Sequence, residues 1–296
     1  MPSALINGVN LYYEVTGHGL PLVWSHEYAG GYESWDSQVG FFSRRYQVIT
    51  YNARGYPPSD IPEDPQAYSQ EQSVDDLFQL LLHLGIHQAY IGGLSMGGSV
   101  ALNFGLAHPE VAMALIVAGA GTGSSDPGRI AQEAKNFASR MRRDGIEGWA
   151  QEYSEGPQRV QFRRKDPKGW EVFKEGLMAH SAVGSALTIS GVQGKRPSIY
   201  ALESAMRALQ VPTLIMVGDE DDPCLGPSLF MKRCIPRSGL VVLPQAGHTI
   251  NLEEPALFNR VVLDFLISVE ANRWGEREEG SGVGFSADRE STGKGI

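Results

Sequence analysis

Short apolar segments of strand length alternate along the chain with longer segments whose apolar residues recur at helical spacing. This alternation is typical of a mostly parallel sheet with helices on both faces. Asn7-Gly8 favours a tight hairpin turn, so we expect the sheet to begin with an antiparallel pair. The pattern predicts eight strands, at Ala4–Ile6, Leu11–Val15, Leu22–Ser25, Gln47–Tyr51, Ala89–Leu94, Ala112–Ala118, Thr213–Val217 and Leu240–Leu243.

Three helices of this layered α/β arrangement have recognisable ends. Ser69 and Gln72 are spaced as a capping box before a run of helical period, and Gly85 follows that run as a stop. A second helix is predicted over 96–107, where His108-Pro109 ends it. A third is predicted over 255–271, with an apolar stripe on one side.

The stretch 121–209 interrupts the alternation, because it is helix-like and rich in charged and aromatic residues. We therefore predict a helical cap over 121–209, inserted into a core formed by 1–120 and 210–274. Residues 275–296 are rich in Gly, Ser and charge and are unable to bury a core, so the sequence predicts a disordered tail there.

Composition and charge limit the classes of partner that we expect for this chain. The chain has 296 residues, 42% of them hydrophobic, and a formal charge of −9, which disfavours nucleic acid and anionic membrane surfaces. The basic runs Arg140–Arg143 and Arg159–Lys168 are interpreted as solvated helix faces. No segment is long and apolar enough to cross a bilayer, and the N-terminus lacks the pattern of a signal peptide, so we expect a cytoplasmic protein with no membrane partner.

Cys224 and Cys234 are the two cysteines of the chain. Two thiols build no disulfide framework, and a zinc site needs further Cys or His at short spacing, which neither cysteine has. The sequence therefore predicts reduced structural thiols, no metal site and no cofactor.

The segment Gly93-Leu94-Ser95-Met96-Gly97 lies between a predicted buried strand and a predicted helix. Gly93 and Gly97, which have no Cβ, allow a sharp turn that lifts the serine hydroxyl clear of the sheet at a helix N-terminus. A serine hydroxyl is a poor nucleophile at neutral pH and needs a base. Ser95 is the predicted nucleophile.

His248 is the candidate base, because its loop follows the last strand and is expected at the carboxyl edge of the sheet, where Ser95 also emerges. An acid must then orient the imidazole. The loop 218–223 offers several carboxylates, and its spacing alone does not choose among Asp219, Asp221 and Asp222. The chain order Ser, Asp, His is the one associated with this elbow.

Because of these motifs, the chain resembles the α/β-hydrolase fold superfamily, in its esterase, lactonase and C–C hydrolase branch. The resemblance covers about residues 4–271. The matching features are the elbow at Ser95, the loop Gly218-x-x-Asp221, the loop Gly247-His248 and Asn52-Ala53-Arg54-Gly55. The resemblance implies an eight-stranded α/β-hydrolase core with a helical cap. It also implies Asp221 as the acid, since the family usually has it three positions after the loop glycine.

By the same resemblance, the backbone N–H groups of Tyr28 and Met96 would form the oxyanion hole. The chain departs from the family at Glu27, where glycine is usual, and at Asn52, where aspartate is common. Glu27 either points away from the site or, together with Tyr28, contacts a cationic or hydroxyl-bearing substrate. Asn52 is expected to affect the support of a turn rather than catalysis.

These residues favour a serine hydrolase that cleaves a small carboxylic ester or lactone. A C–C bond hydrolase would use the same three residues and release a ketone or enol fragment instead of an alcohol. A cofactor-free oxygenase, a perhydrolase and a small-molecule receptor without turnover are further alternatives on this scaffold.

Overall fold

The computed structural model describes residues 2–276. All eight predicted strands are present, most of them extended by one or two residues at an end. They are β1 Ser3–Ile6, β2 Val9–Thr16, β3 Leu20–Ser25, β4 Tyr46–Tyr51, β5 Ala89–Leu94, β6 Ala112–Ala118, β7 Thr213–Gly218 and β8 Ser238–Leu243.

The strands form one sheet in the order β1-β2-β4-β3-β5-β6-β7-β8. The first two pair antiparallel across a turn in which Asn7 and Gly8 have φ values of 49° and 78°, which confirms the predicted hairpin. β2 also pairs antiparallel with β4, and all later pairings are parallel. The carboxyl ends of β5, β7 and β8 therefore open at one edge of the sheet, and this places the loops after them together.

Helices connect and cover the strands. Ser69 caps the N-terminus of the helix Gln70–His83 as predicted, with its hydroxyl accepting from Gln72 N at 3.0 Å, but the Gln72 side chain donates to Asp76 and leaves the capping box half formed. The helices are α1 Asp36–Phe42, α2 Gln70–His83, α3 Met96–Ala107, α4 Pro127–Asp144, α5 Glu147–Ser154, α6 Val160–Lys165, α7 Pro167–Met178, α8 Ala182–Thr188, α9 Glu203–Ala208, α10 Asp222–Cys234, α11 Ile250–Glu253 and α12 Pro255–Glu270.

The sheet is buried on both faces because alternate residues of its strands enter different apolar clusters. Val23 of β3 packs with residues of α2 and α3 on one face. Leu22 and Trp24, its neighbours, pack on the other face with residues of α1 and α12. Burial on both sides fixes the register of the central strands and hence the positions of the loops at their ends.

The six helices α4 to α9 all lie between β6 and β7, in the stretch predicted to be a helical cap. The inward faces of α4 to α8 form a third apolar cluster, rich in aromatic residues, which also includes Tyr28 and Met96 from the core, while Met206 of α9 packs in the cluster of Val23. No helix within residues 2–276 is long and apolar enough to span a membrane. Most of the predicted tail, from 277 onward, lies outside the described residues.

Candidate active site

Ser95 lies at the turn between β5 and α3, as the elbow motif predicts. Its φ and ψ are 57° and −108°, an uncommon conformation for a residue with a side chain. The turn is tight, because a Cβ at Gly97 would clash with the carbonyl oxygen of Ser25, and one at Gly93 would clash with that of Gly97. The Ser95 N–H donates to the Ala118 carbonyl at 2.8 Å and holds the turn against β6.

His248 lies in the loop after β8, and the loop is held by a buried carboxylate. Glu253 accepts from the backbone N–H groups of Gly247 and Thr249 at 2.8 and 3.0 Å, and from the Thr249 hydroxyl at 3.1 Å. These bonds fix the backbone on both sides of His248, whose side chain is almost fully buried.

Asp221 is the carboxylate that meets the imidazole, with 2.7 Å between His248 Nδ1 and Asp221 Oδ2. The other two candidate carboxylates have different surroundings: Asp219 accepts from Ala246 N at 3.1 Å, and Asp222 is exposed in the first turn of α10. Burial by itself would lower the pKa of His248, but the facing Asp221 carboxylate raises that pKa well above its ordinary value.

Ser95 and His248 border the same cavity, of about 130 Å³, between the core and the cap. Within residues 2–276 no hydrogen bond joins the Ser95 hydroxyl to the ring, an arrangement common before substrate binds. The cavity is lined by Tyr28, Ser95, Thr122, Ile130, Glu133, Ala134, Phe137, Tyr153, Gln158, Ile189, Gln193, Arg196 and His248.

A larger cleft of about 690 Å³ lies between α7 and the loop that follows β3, and it is bordered by Ala29 and His180. Neither Ser95 nor His248 borders it. The smaller cavity is therefore the candidate reaction site, because it is bordered by both Ser95 and His248, the serine and histidine that the sequence predicted to act together.

Of the predicted oxyanion-hole residues, Tyr28 lies in the loop after β3, and Met96 follows Ser95 directly in the chain. In the described part of the chain, neither backbone N–H donates to another protein group. Met96 is also the first residue of α3, where the helix dipole favours negative charge. The Tyr28 hydroxyl donates to the Ser185 carbonyl at 2.8 Å, which binds the loop to the cap.

Glu27 forms a buried ion pair with Arg159 of the cap, at 2.7 Å between Arg159 Nη2 and Glu27 Oε2. Both side chains are at most 2% exposed, so the interpretation of the run Arg159–Lys168 as a solvated face is wrong for its first residue. Burial alone would lower the pKa of Arg159, but the Glu27 carboxylate raises it. Since both carboxylate oxygens are engaged and Glu27 does not line the catalytic cavity, the geometry argues against its contacting substrate.

The other departure from the family pattern, at Asn52, has a structural explanation, and so does the neighbouring His26. Asn52 accepts from Tyr32 N and donates to the Pro57 carbonyl, both at 2.7 Å, and so supports the turns on either side. His26 accepts from Ala53 N at 3.0 Å and donates to the Glu27 carbonyl at 2.7 Å. Burial lowers the pKa of His26 to about 4, which keeps it neutral in this structural role.

Two site residues escaped the sequence analysis because they belong to the cap. Gln158 donates through its side-chain amide to Asp221 Oδ1 at 3.0 Å, and its carbonyl accepts from His248 N at 3.0 Å. Arg196 borders the cavity and donates to Ser99 Oγ at 3.1 Å and to the Thr122 carbonyl at 2.8 Å. Nothing in the spacing of either residue connects it to the Ser, Asp and His loops.

Cys224 lies beside the acid and the base, with the polar atoms of Asp221, Cys224 and His248 all within 4.8 Å of one another. The sequence did not predict this proximity, because no histidine lies near Cys224 along the chain. Burial raises the pKa of the Cys224 thiol, which favours its protonated form. Its bonds with the Gly119 carbonyl and the Thr122 hydroxyl, both at 3.2 Å, join α10 to the loop after β6.

Comparison with known proteins agrees with this architecture. A family model for the alpha/beta hydrolase fold matches residues 18–255. The 3-oxoadipate enol-lactonase 2 of Acinetobacter baylyi is 28% identical over 242 residues, which cover 81% of this chain and 86% of the relative. The 2-hydroxymuconate semialdehyde hydrolase of Pseudomonas sp. strain CF600 is 27% identical over 274 residues, covering 89% and 93%.

Among solved structures, a thermophilic esterase from Thermogutta terrifontis with malate bound superposes with a TM-score of 0.82 at 27% identity. The alignment covers 90% of this chain and 98% of the esterase. Because the family model spans most of the chain and the esterase superposes over nearly all of its length, this protein belongs to the α/β-hydrolase family of enzymes.

Proposed function

We propose that the protein is a serine hydrolase that cleaves a small carboxylic ester or lactone through an acyl-enzyme on Ser95. The observation that carries the proposal is the 2.7 Å contact between His248 Nδ1 and Asp221, at the wall of the cavity that Ser95 also borders. Three groups of these types in one cavity provide the nucleophile, the base and the orienting acid of acyl transfer.

Asp221 sets the chemistry of the ring. As a carboxylate it only accepts hydrogen bonds, so His248 carries its proton on Nδ1 and leaves Nε2 free to act as a base. Ser95 Oγ attacks the carbonyl carbon while Nε2 takes the hydroxyl proton. The imidazolium then returns that proton to the leaving alkoxide oxygen, and water releases the acyl group by the reverse sequence.

The carbonyl oxygen gains negative charge during the attack and needs fixed donors. The N–H groups of Tyr28 and Met96 suit this role, since neither is used by another described protein group and Met96 begins α3. This scheme requires neither a metal ion nor an organic cofactor.

Named relatives support the substrate class. One is an enol-lactonase and one solved neighbour is an esterase. A C–C bond hydrolase is the second candidate, favoured by the similarity to 2-hydroxymuconate semialdehyde hydrolase over 89% of this chain. Product analysis separates the two, because carbon–carbon cleavage releases a ketone or enol where ester cleavage releases an alcohol.

A fluorophosphonate probe and a panel of p-nitrophenyl esters, lactones and one ring-cleavage diketone test the proposal. We expect labelling of the wild type and of Ser139→Ala, a control on the exposed face of α4, and none of Ser95→Ala. Labelling that survives Ser95→Ala would assign the nucleophile to another residue. Turnover of the diketone alone would favour the second candidate.

A further inference from the structure

Arg196 places a cation at the wall of the catalytic cavity. Its guanidinium donates to Ser99 Oγ at 3.1 Å and to the Thr122 carbonyl at 2.8 Å. Ser99 follows Ser95 by one turn of α3, and its N–H donates to the Ser95 carbonyl at 2.9 Å. The arginine is thus held close to the nucleophile by two fixed anchors.

Both anchors are uncharged, and this distinguishes the half-buried Arg196 from the buried arginines Arg159 and Arg54. Arg159 faces Glu27 at 2.7 Å, and Arg54 faces Asp76 at 2.6 Å. Within residues 2–276 Arg196 forms no salt bridge, and burial lowers its pKa to about 10. Partial burial of a cation without a counter-ion is unfavourable, and a bound anion would relieve that cost.

The acidic residue that borders the cavity and could serve as a counter-ion of Arg196 is paired with another arginine. Glu133 lines the cavity, but its carboxylate lies 3.6 Å from Arg129 on the same helix, and its side chain is 42% exposed. The guanidinium also has more N–H donors than its two protein acceptors use. Arg196 therefore retains hydrogen-bonding capacity for a ligand.

A second polar group in the same wall lacks a partner. The side-chain oxygen of Gln193 is buried without a hydrogen bond in the described part of the chain, and Gln193 borders the cavity beside Arg196. It ends a π-helical turn, Ile189–Gln193, a local geometry that often occurs at functional sites. Because the two ends of an amide are assigned from their partners, rotation of this group would present its N–H₂ to an anion.

We propose that Arg196, assisted by Gln193, binds a carboxylate of the substrate while the ester or lactone carbonyl lies at Ser95. A planar guanidinium matches a carboxylate with two parallel hydrogen bonds. One turn of helix advances about 5.4 Å, so the geometry suits a carboxylate separated from the scissile carbonyl by a short chain of about two or three carbons. This substrate class rests on the ester or lactone hydrolysis proposed above.

A matched pair of substrates tests the subsite. The p-nitrophenyl monoester of glutaric acid has a free carboxylate, and p-nitrophenyl valerate has the same leaving group and a neutral acyl chain. For Arg196→Gln we expect the ratio of kcat/KM on the acidic substrate to that on the neutral one to fall by about 10-fold to 100-fold, the effect of a charge-assisted hydrogen bond, mainly through KM. Arg196→Lys should fall between the two. Arg207→Gln, an exposed arginine of α9, should leave the ratio unchanged.

An equal loss on both substrates would overturn the proposal and leave Arg196 a structural anchor of the loop at Thr122.

A binding measurement tests the same subsite without depending on turnover. By calorimetry on Ser95→Ala, monomethyl glutarate should bind more tightly than dimethyl glutarate, and Arg196→Gln in that background should abolish the difference while thermal unfolding shows a folded protein. If neither p-nitrophenyl ester is hydrolysed but this difference is present, the ester chemistry fails and the anion subsite stands; equal binding of the two esters would refute the subsite itself.

Discussion

The side-chain amide of Gln158, in the cap, donates a hydrogen bond at 3.0 Å to Asp221, the carboxylate that contacts the His248 ring. The Gln158 carbonyl accepts from His248 N at 3.0 Å, and a Cβ on Gly247 would clash with that carbonyl. One cap residue therefore contacts both members of the buried pair. We infer that the position of the cap contributes to the geometry of the acid and the base.

Removal of this amide should weaken turnover and change its pH dependence. In Gln158→Ala, Asp221 Oδ1 loses its side-chain donor, and we expect kcat to fall about 10-fold, the equivalent of one hydrogen bond to a charged group. The carboxylate, no longer stabilised by the amide, attracts the proton of His248 more strongly. The acid limb of the rate profile should therefore move to higher pH.

Gln158→Glu should move the same limb further, because it places a second negative charge beside Asp221. Gln161→Ala is the matched control, since the Gln161 amide donates to Glu220 at the surface at 2.7 Å. A Gln158→Ala profile that coincides with that of Gln161→Ala would remove Gln158 from the positioning role.

The pairing of Asp221 with His248 predicts the direction of the pH dependence. Only the neutral ring accepts the Ser95 proton, and Asp221 raises the pKa of His248, so activity is lost as pH falls through that raised value. In Asp221→Asn the attraction disappears while burial still lowers the pKa. The acid limb of the residual rate should therefore shift to lower pH, with kcat/KM reduced on the order of 10³-fold to 10⁴-fold.

Asp222→Asn serves as the comparison, because Asp222 is exposed and does not face the ring. Its profile should match that of the wild type. Loss of activity in Asp222→Asn with little effect in Asp221→Asn would show that the wrong carboxylate had been assigned.

The Glu27–Arg159 pair predicts an asymmetric stability response. Glu27→Gln or Arg159→Met alone leaves one buried charge without its partner, and we expect the free energy of unfolding to fall by about 3–5 kcal/mol. The double variant removes both charges, so it should recover part of that loss. Urea denaturation of the full chain measures all three variants.

Arg207→Ala provides the surface comparison, because its pair with Glu203 is exposed and such pairs contribute little. It should leave the denaturation midpoint unchanged. Single Glu27 and Arg159 variants as stable as Arg207→Ala would mean that this buried ion pair contributes no measurable stability.

Much of the core could be predicted from local patterns. Strands buried on both faces read as continuous apolar runs, and β5 and β6 lie where those runs do. The elbow could be predicted because Gly93 and Gly97 have a local steric reason to be glycine. Likewise, the loops of Asp221 and His248 follow adjacent parallel strands, whose carboxyl ends meet at one edge.

The contacts made by the cap could not be predicted in this way. Arg159 looks like part of a solvated basic run, and only packing of the cap onto the core buries it against Glu27, 132 positions away. Cys224 lies far from any histidine in sequence and within 4.8 Å of one in space. Periodicity specifies which face of a helix is apolar, but it does not specify which distant loop that helix packs against.

The sequence by itself therefore determined the strands, their order along the chain and the positions of Ser95 and His248 after strand ends, since each follows from local sterics or strand periodicity. Tertiary structure decided which carboxylate meets the ring, what neutralises Glu27, and that Gln158 and Arg196 reach the cavity. These outcomes depend on close contacts between segments far apart in the chain, and such contacts form only when the cap and core are folded together.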